Sequence, residues 1–309
     1  MTGDAPPIRL FGPYLRERYG ERVGRLCLDA GLGCPNRDGT LSREGCTFCR
    51  EESYSRAAER GPLSIGQQIK REKEIASRRH KAGKFIAYLQ PGTNTHGALE
   101  DLRRVYDECA QDSDVVALAV GTRPDCLPRD VVKLLAAYRD RGLDVWVELG
   151  LQSSNDRTLA RMNRNHTFAD YVDAACRARA GGLLVAAHLI AGLPGEGPDD
   201  WRRTAEELAR LRPDGVKLHH LQIVRGTPLE TAFRRGEAGV LQAGEYVAAA
   251  CDVLERLPSR TVVMRLVGET RGDWLVGPDW GIGKQEVLRA IEAEFRRRGT
   301  GQGALCGIS

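Results

Sequence analysis

No stretch of this 309-residue chain approaches the ~18 consecutive apolar residues that a membrane-spanning helix needs. Met1 to Leu10 carries no apolar segment of the kind that makes a secretory leader. Internal repeats and low-complexity tracts are missing too, which excludes a repeat architecture. Nor is the charge one-sided: 46 Lys and Arg against 42 Asp and Glu leave +4 and a pI near 8.6. That balance permits contact with nucleic acid without demanding it. What is present is an apolar fraction of 41%, enough for a sizeable core, in a length that suits one large α/β barrel or two modest domains. Nine cysteines without a leader point to a reducing cytoplasm, where thiols stay free or serve as ligands.

Short apolar runs alternate with longer amphipathic segments. Strands are expected at Arg25–Asp29, Phe85–Gln90, Val115–Val120, Val145–Leu149, Leu184–Ile190, Val216–Ile223 and Thr261–Val267. Helices are expected at Ser64–His80, Leu99–Ala110, Pro128–Arg141, Asp156–Met162, Phe168–Ala180, Asp199–Leu211 and Gly244–Leu257. A last amphipathic helix, Lys284–Arg298, carries Val287, Leu288, Ile291 and Phe295 on one face and ends in three arginines. The alternation argues for a parallel sheet, either a barrel or a doubly wound sheet. Compact polar clusters follow nearly every strand: GLGCPNRDG, QPGTNT, GTRPD, GLQSS, AGLPGEG and VRGTP. A row of such loops favours the single shared mouth of a (β/α) barrel.

The first of these loops holds Cys34, Cys46 and Cys49 in GLGCPNRDGTLSREGCTFCR. An iron–sulfur cube ordinarily takes four thiolates, so three leave one iron open to a reacting molecule. A structural zinc ion would use the same Cys-x2-Cys pair but wants four ligands in a closed tetrahedron. No nearby His or Cys clearly completes that set, Cys27 lying in the apolar run; zinc stays the alternative.

On the fourth strand, alternation puts Trp146 and Glu148 on one face and Val145, Val147 and Leu149 on the other. A carboxylate among apolar strand residues is a candidate ligand contact or the partner of an internal cation. Gln152 follows at the expected barrel mouth. His188 lies opposite Val185, Ala187 and Leu189, just before GLPGEG, whose glycines do not fit a dinucleotide-binding fingerprint. His219 and His220 are adjacent, so at most one faces inward, and alternation does not choose between them; Lys217 shares His219's face. Cys109, Cys126, Cys176 and Cys251 show no paired spacing and read mostly as small buried hydrophobes, with Cys126 closest to a polar cluster.

The three cysteines, with Phe48 just before the last, resemble the cluster loop of radical SAM enzymes. The eleven residues between Cys34 and Cys46 resemble the longer loop of the Elongator catalytic subunit and its relatives. The likeness continues through TRPD (Thr122–Asp125), ELGLQS (Glu148–Ser153), NRNHT (Asn163–Thr167), GLPGE (Gly192–Glu196) and VRGTP (Val224–Pro228). CPNRDG, VGTRPDC and the GLPGEG turn are similar almost letter for letter to YhcC-like radical SAM proteins.

This resemblance implies a partial (β/α)6-type TIM barrel over residues 23–230, with an N-terminal extension, 1–22, and a C-terminal extension, 231–309. It implies a [4Fe–4S] cluster on Cys34, Cys46 and Cys49, with S-adenosylmethionine (SAM) on the open iron and a reduced flavodoxin or ferredoxin as electron donor. By position, Gly92 and Thr93 match contacts to the methionyl amino group, and Gln152 and Arg164 match contacts to ribose and carboxylate. Related enzymes often carry Glu and Asp where this chain has Gly121 and His188, so Glu148 and His188 become candidates for the missing contacts and for catalysis. The Elongator subunit has an acetyltransferase domain that this chain is expected to lack. The implied activity is SAM cleavage to a 5′-deoxyadenosyl radical that modifies tRNA at the C5 side chain of a wobble uridine. The Arg-rich N-terminal part and Arg296–Arg298 are candidate phosphate contacts. The alternatives are a small-molecule substrate such as a porphyrin-like metabolite, methylthiolation, which the unpaired cysteines disfavour, and a zinc-bearing RNA-binding protein without catalysis.

Overall fold

The computed structural model describes residues 8–54, 63–268, 270 and 272–307. The first seven residues of the expected N-terminal extension lie outside them. Strands form at β1 (Val23–Leu28), β2 (Lys84–Leu89), β3 (Val115–Thr122), β4 (Asp144–Gln152), β5 (Leu184–Ala191), β6 (Gly215–His220) and β8 (Val262–Arg265). They make one parallel sheet in the order β1-β2-β3-β4-β5-β6-β8. Every crossover carries at least one helix, and β1 and β8 remain the two edges. The sheet is curled. Laid flat, β2 and β6 would stand roughly 19 Å apart at ordinary strand spacing, yet Lys217 Nζ of β6 donates to the Tyr88 hydroxyl of β2 at 2.9 Å. The expected α/β partial barrel is therefore the architecture, its six strands extended by a seventh from the C-terminal segment.

The two faces of the sheet follow from alternation. Leu26, Leu28, Phe85, Leu89, Val147, Leu149 and Val216 point outward into the main core, where the helices cover them with residues such as Leu102, Tyr106, Leu135, Tyr138 and Tyr246. Ile86, Tyr88, Ala117, Ala119, Trp146 and Ala186 point inward. Their lower end is stoppered by α1 (Phe11–Tyr19), whose Phe11 and Tyr14 meet Trp146 edge-on, with ring centroids 5.9 and 6.1 Å away. Arg18 and Tyr19 close that helix onto the Asp144 carboxylate.

The expected strand Val216–Ile223 divides. Its ladder to β5 ends where His220 meets Ala191, the last residue of β5. After Leu221, whose amide donates to the Ala191 carbonyl at 2.9 Å, the chain leaves the sheet, and β7 (Ile223–Val224) pairs antiparallel with β9 (Leu275–Gly277) instead. The C-terminal helix spans Lys284–Arg298 as expected and buries Val287, Ile291 and Phe295. Two of its last three arginines are paired: Arg298 reaches Asp252, Glu255 and Glu294, and Arg297 reaches Glu294. Among the described residues no helix is long and apolar enough to cross a membrane.

Candidate active site

The loops at the C-terminal ends of the strands enclose a cavity of about 490 Å³. Cys34, Cys46 and Cys49 all line it, together with Gly92, Thr93, Glu148, Gln152, Arg164 and His188. Every residue singled out from the sequence for cluster, cofactor or catalysis thus faces one space. Cys27, passed over because it sits in the apolar run, lines it too.

The cysteine loop is held from two sides. Gly33, at φ +70°, offers its carbonyl to the amide of Thr93 at 2.8 Å. Gly92, at φ +79°, approaches so closely that an added Cβ would lie 2.6 Å from that same oxygen. Only glycine fits such a contact in the left-handed region. From the other side, the NRN tripeptide braces the loop. Asn36 is fully buried and donates to the Asn163 carbonyl at 2.6 Å, while the Asn165 amide donates to Asn36 at 2.5 Å. Asn163 donates in turn to the Gly45 carbonyl at 2.7 Å. Both Asn163 and Asn165 sit at φ +51°, a conformation asparagine tolerates better than most side chains.

Between these asparagines, Arg164 turns inward. Its guanidinium donates to Cys46 Sγ at 3.1 Å and to the Gly150 carbonyl at 2.8 Å. Arg123 of the TRPD motif supports it from below, donating to the Arg164 carbonyl at 2.6 Å. Burial works to raise the Cys46 thiol, but the Arg164 charge and hydrogen bond, the Asn36 amide and Arg123 together carry it below the ordinary thiol range. Cys49 moves the other way, pushed up to about 11 by burial and by the nearby Cys46. Among the described residues, no three His, Cys, Asp or Glu side chains converge as a single-ion metal site would have them.

Deeper in the barrel lies a polar network in an otherwise apolar interior. Glu148 is 2% exposed and accepts from His188 Nε2 at 2.9 Å and from Lys217 Nζ. Burial opposes the charged carboxylate, but Lys217 and His188 outweigh it and hold Glu148 well below the usual carboxylate range. Burial pushes Lys217 down to about 7 despite Glu148, with Arg25 and Arg265 acting in the same direction. His188 is also lowered, chiefly by burial. His219 lies on the His188 side, 6.0 Å ring to ring, and His220 packs on Trp280 at 4.1 Å; both line the cavity, where alternation expected at most one. Gln152 sits beside the Arg164 guanidinium at φ +73°, beyond an irregularity in the β4–β5 register. Backbone held in that region is costly and concentrates at functional sites.

Lys217, Tyr88, Arg123 and Asn36 were missed as site residues. Arg123 and Asn36 lie inside the TRPD and CPNRDG motifs, so a signal existed; Tyr88 and Lys217 meet only because the sheet curls. GLPGE acts as a brace, with Glu196 accepting from Ser153. Cys109 and Cys251 are buried as expected, whereas Cys176 is exposed. Cys126 lies 3.8 Å from Asp125 and does not line the cavity.

A curled parallel sheet with three cysteines in its first loop is one class of protein, and sequence models agree. The radical SAM superfamily model matches residues 31–208, and the radical SAM C-terminal domain model matches residues 213–297. The chain belongs to the radical SAM superfamily.

Particular relatives follow. The protein YtqA of Bacillus subtilis (strain 168) is 40% identical over 290 residues, covering 94% of this chain and 90% of YtqA. YhcC of Escherichia coli (strain K12) is 39% identical over 273 residues, covering 88% and 87%. More distantly, a tRNA uridine(34) acetyltransferase of Dehalococcoides mccartyi (strain CBDB1) is 30% identical over 55% of this chain and 37% of its own length. In three dimensions, archaeal Methanocaldococcus infernus Elp3 superposes with a TM-score of 0.66 at 17% identity, over 91% of this chain and 64% of that one. At that identity the likeness speaks for the fold.

Proposed function

We propose that this chain is a radical enzyme that modifies tRNA, acting on the C5 side chain of a wobble uridine. The observation that carries the reading is the make-up of the cavity. Beside its cysteines it is lined, among the described residues, by Arg37, Arg50, Arg123, Arg164, Lys217 and Arg265 against Glu51 and Glu148. A cleft so biased attracts a polyanion and raises its local concentration. The partial match to a tRNA uridine(34) acetyltransferase supports the same substrate class.

The residues present fit the cofactors that the family implies. Cys34, Cys46 and Cys49 would hold the [4Fe–4S] cluster, and the lowered thiol of Cys46 favours the ligating thiolate. Buried Nη1 of Arg123 and Nε of Arg164 have no partner among the described residues and suit the carboxylate of SAM. Gly92, Thr93 and Gln152 would contact the rest of SAM. When bound, cluster and SAM supply, on reduction by a flavodoxin or ferredoxin, a 5′-deoxyadenosyl radical that abstracts substrate hydrogen.

The chain's own contribution is orientation and proton handling. Lys217, at about 7, sits where a proton is gained or lost near neutrality, and Glu148 couples it to His188. Tyr88 and Trp146 belong to an apolar cluster, with Phe11, Leu15 and Ile86, that fills the lower end of the barrel. The test is anaerobic turnover with total tRNA, alongside nucleoside analysis of tRNA from a deletion strain. Stimulated 5′-deoxyadenosine release and a missing modified uridine support the reading. An unchanged nucleoside profile, with no stimulation by tRNA, defeats it.

A further inference from the structure

A second cavity, of about 360 Å³, opens at the seam where the sheet does not close, between the edge strands β1 and β8. Phe11, Leu15, Ile86, Met264 and Leu288 give it apolar walls. Arg25, Arg265 and Lys284 line it, and among the described residues no carboxylate does. Arg265 lines the larger cavity as well, so the two spaces share one guanidinium.

The inward aim of Arg265 depends on an irregularity. Between Val216 and Lys217 the β6–β8 register slips, so that Val216 pairs with Val263 but Lys217 pairs with Arg265. Strict alternation would send Arg265 to the helix-packed side with Val263. The bulge turns it to Lys217's side instead, as bulges beside active sites often do. Arg25 reaches the same space from β1 and lies over the Tyr88 ring at 5.5 Å. Neither arginine has a carboxylate partner among the described residues. Arg25 and Arg265 are half-buried, and two guanidiniums facing one apolar-walled space repel each other unless an anion joins them. Their planar forks match a carboxylate or a phosphate.

We propose that the seam cavity binds the acidic head group, carboxylate or phosphate, of a small molecule with an apolar body, clasped between Arg25 and Arg265. Its head would lie beside the Glu148–Lys217 pair, at the boundary with the larger cavity. The proposal goes beyond the tRNA reading and stands whether or not RNA is the substrate.

Calorimetric titration of the full chain, purified anaerobically, with octanoate, octyl phosphate and octanol tests it without turnover. At least one acid binds at least about tenfold more tightly than octanol, the scale of a charge-assisted hydrogen bond. The tighter of the two acids identifies the head group. Arg25→Gln and Arg265→Gln each weaken that acid by about tenfold. Leu288→Glu, on a partly exposed helix position at the rim, weakens it without touching either arginine and serves if an arginine variant misfolds. Octanol binding as well as the acids, no binding by either acid, or unchanged affinity in the variants that fold overturns the proposal.

Discussion

Glu148→Gln removes the carboxylate that Lys217 faces, at constant size. Both side chains are nearly enclosed, with 2% and 1% exposure, and Lys217 would be left with neutral acceptors, the new amide oxygen and the Tyr88 hydroxyl at 2.9 Å. Breaking a buried pair from one side costs about 3–5 kcal/mol, or roughly 6–20 °C in Tm at 2–4 °C per kcal/mol. The deficit depends on pH. Lys217 titrates at about 7 in the fold, against ~10.4 when unfolded. Between those values the unfolded chain binds more protons, so stability rises with pH there. Above about 7 the lysine becomes neutral in the fold and no longer needs the carboxylate. Without Glu148, which raises Lys217, the variant's lysine loses its proton at lower pH still, so its deficit is largest in mild acid, narrows as pH rises towards 7 and is level above. Thermal unfolding of wild type, Glu148→Gln and Glu148→Gln/Lys217→Met on both sides of neutrality checks this, and the double variant should recover most of the loss. A single variant as stable as wild type in mild acid, or a double variant no better than the single, would refute the reasoning.

Gly92→Ala puts a Cβ 2.6 Å from the Gly33 oxygen at φ +79°; a loss of about 1–3 kcal/mol and weaker SAM uptake are expected from unfolding and equilibrium dialysis. Arg164→Ala removes a charge and hydrogen bond that oppose burial at Cys46, so the thiol should rise. The difference in ultraviolet thiolate titration between a Cys34→Ser/Cys49→Ser background and the same background with Cys46→Ser reads that shift, because the remaining thiols cancel. Arg298→Ala breaks contacts to Asp252, Glu255 and Glu294 at 2.7, 3.1 and 2.8 Å. It should cost about 1–3 kcal/mol while leaving affinity for total tRNA unchanged in a filter-binding assay, because the side chain is already engaged.

The sheet was legible because parallel strands buried on both faces read as continuous apolar runs, here Lys84–Leu89 and Leu184–Ala191. The C-terminal helix was legible from the spacing of Val287, Ile291 and Phe295. The helix Phe11–Tyr19 was not: it has no capping side chain and no acid in its first turn, and it forms because Trp146 needs a cover. The pairing of β7 with β9 joins strands of two and three residues far apart in sequence, too short for any periodicity. Glu148 stood out as a carboxylate on an apolar strand, but its partner did not. Lys217 arrives from β6 only through the curl, and Arg265 turns inward only through a bulge. The cysteine loop was plain from its thiols, whereas its bracing by Asn163 and Asn165 depends on positive φ that the letters alone do not give.

The central claim is that three thiols and the loops around them support radical chemistry. It is tested most directly by anaerobic reconstitution with iron and sulfide, followed by SAM and dithionite, with Cys46→Ala beside the wild type. The account predicts iron and sulfide in the wild-type protein and 5′-deoxyadenosine released by it alone. Zinc without sulfide, and no 5′-deoxyadenosine from either protein, would contradict it.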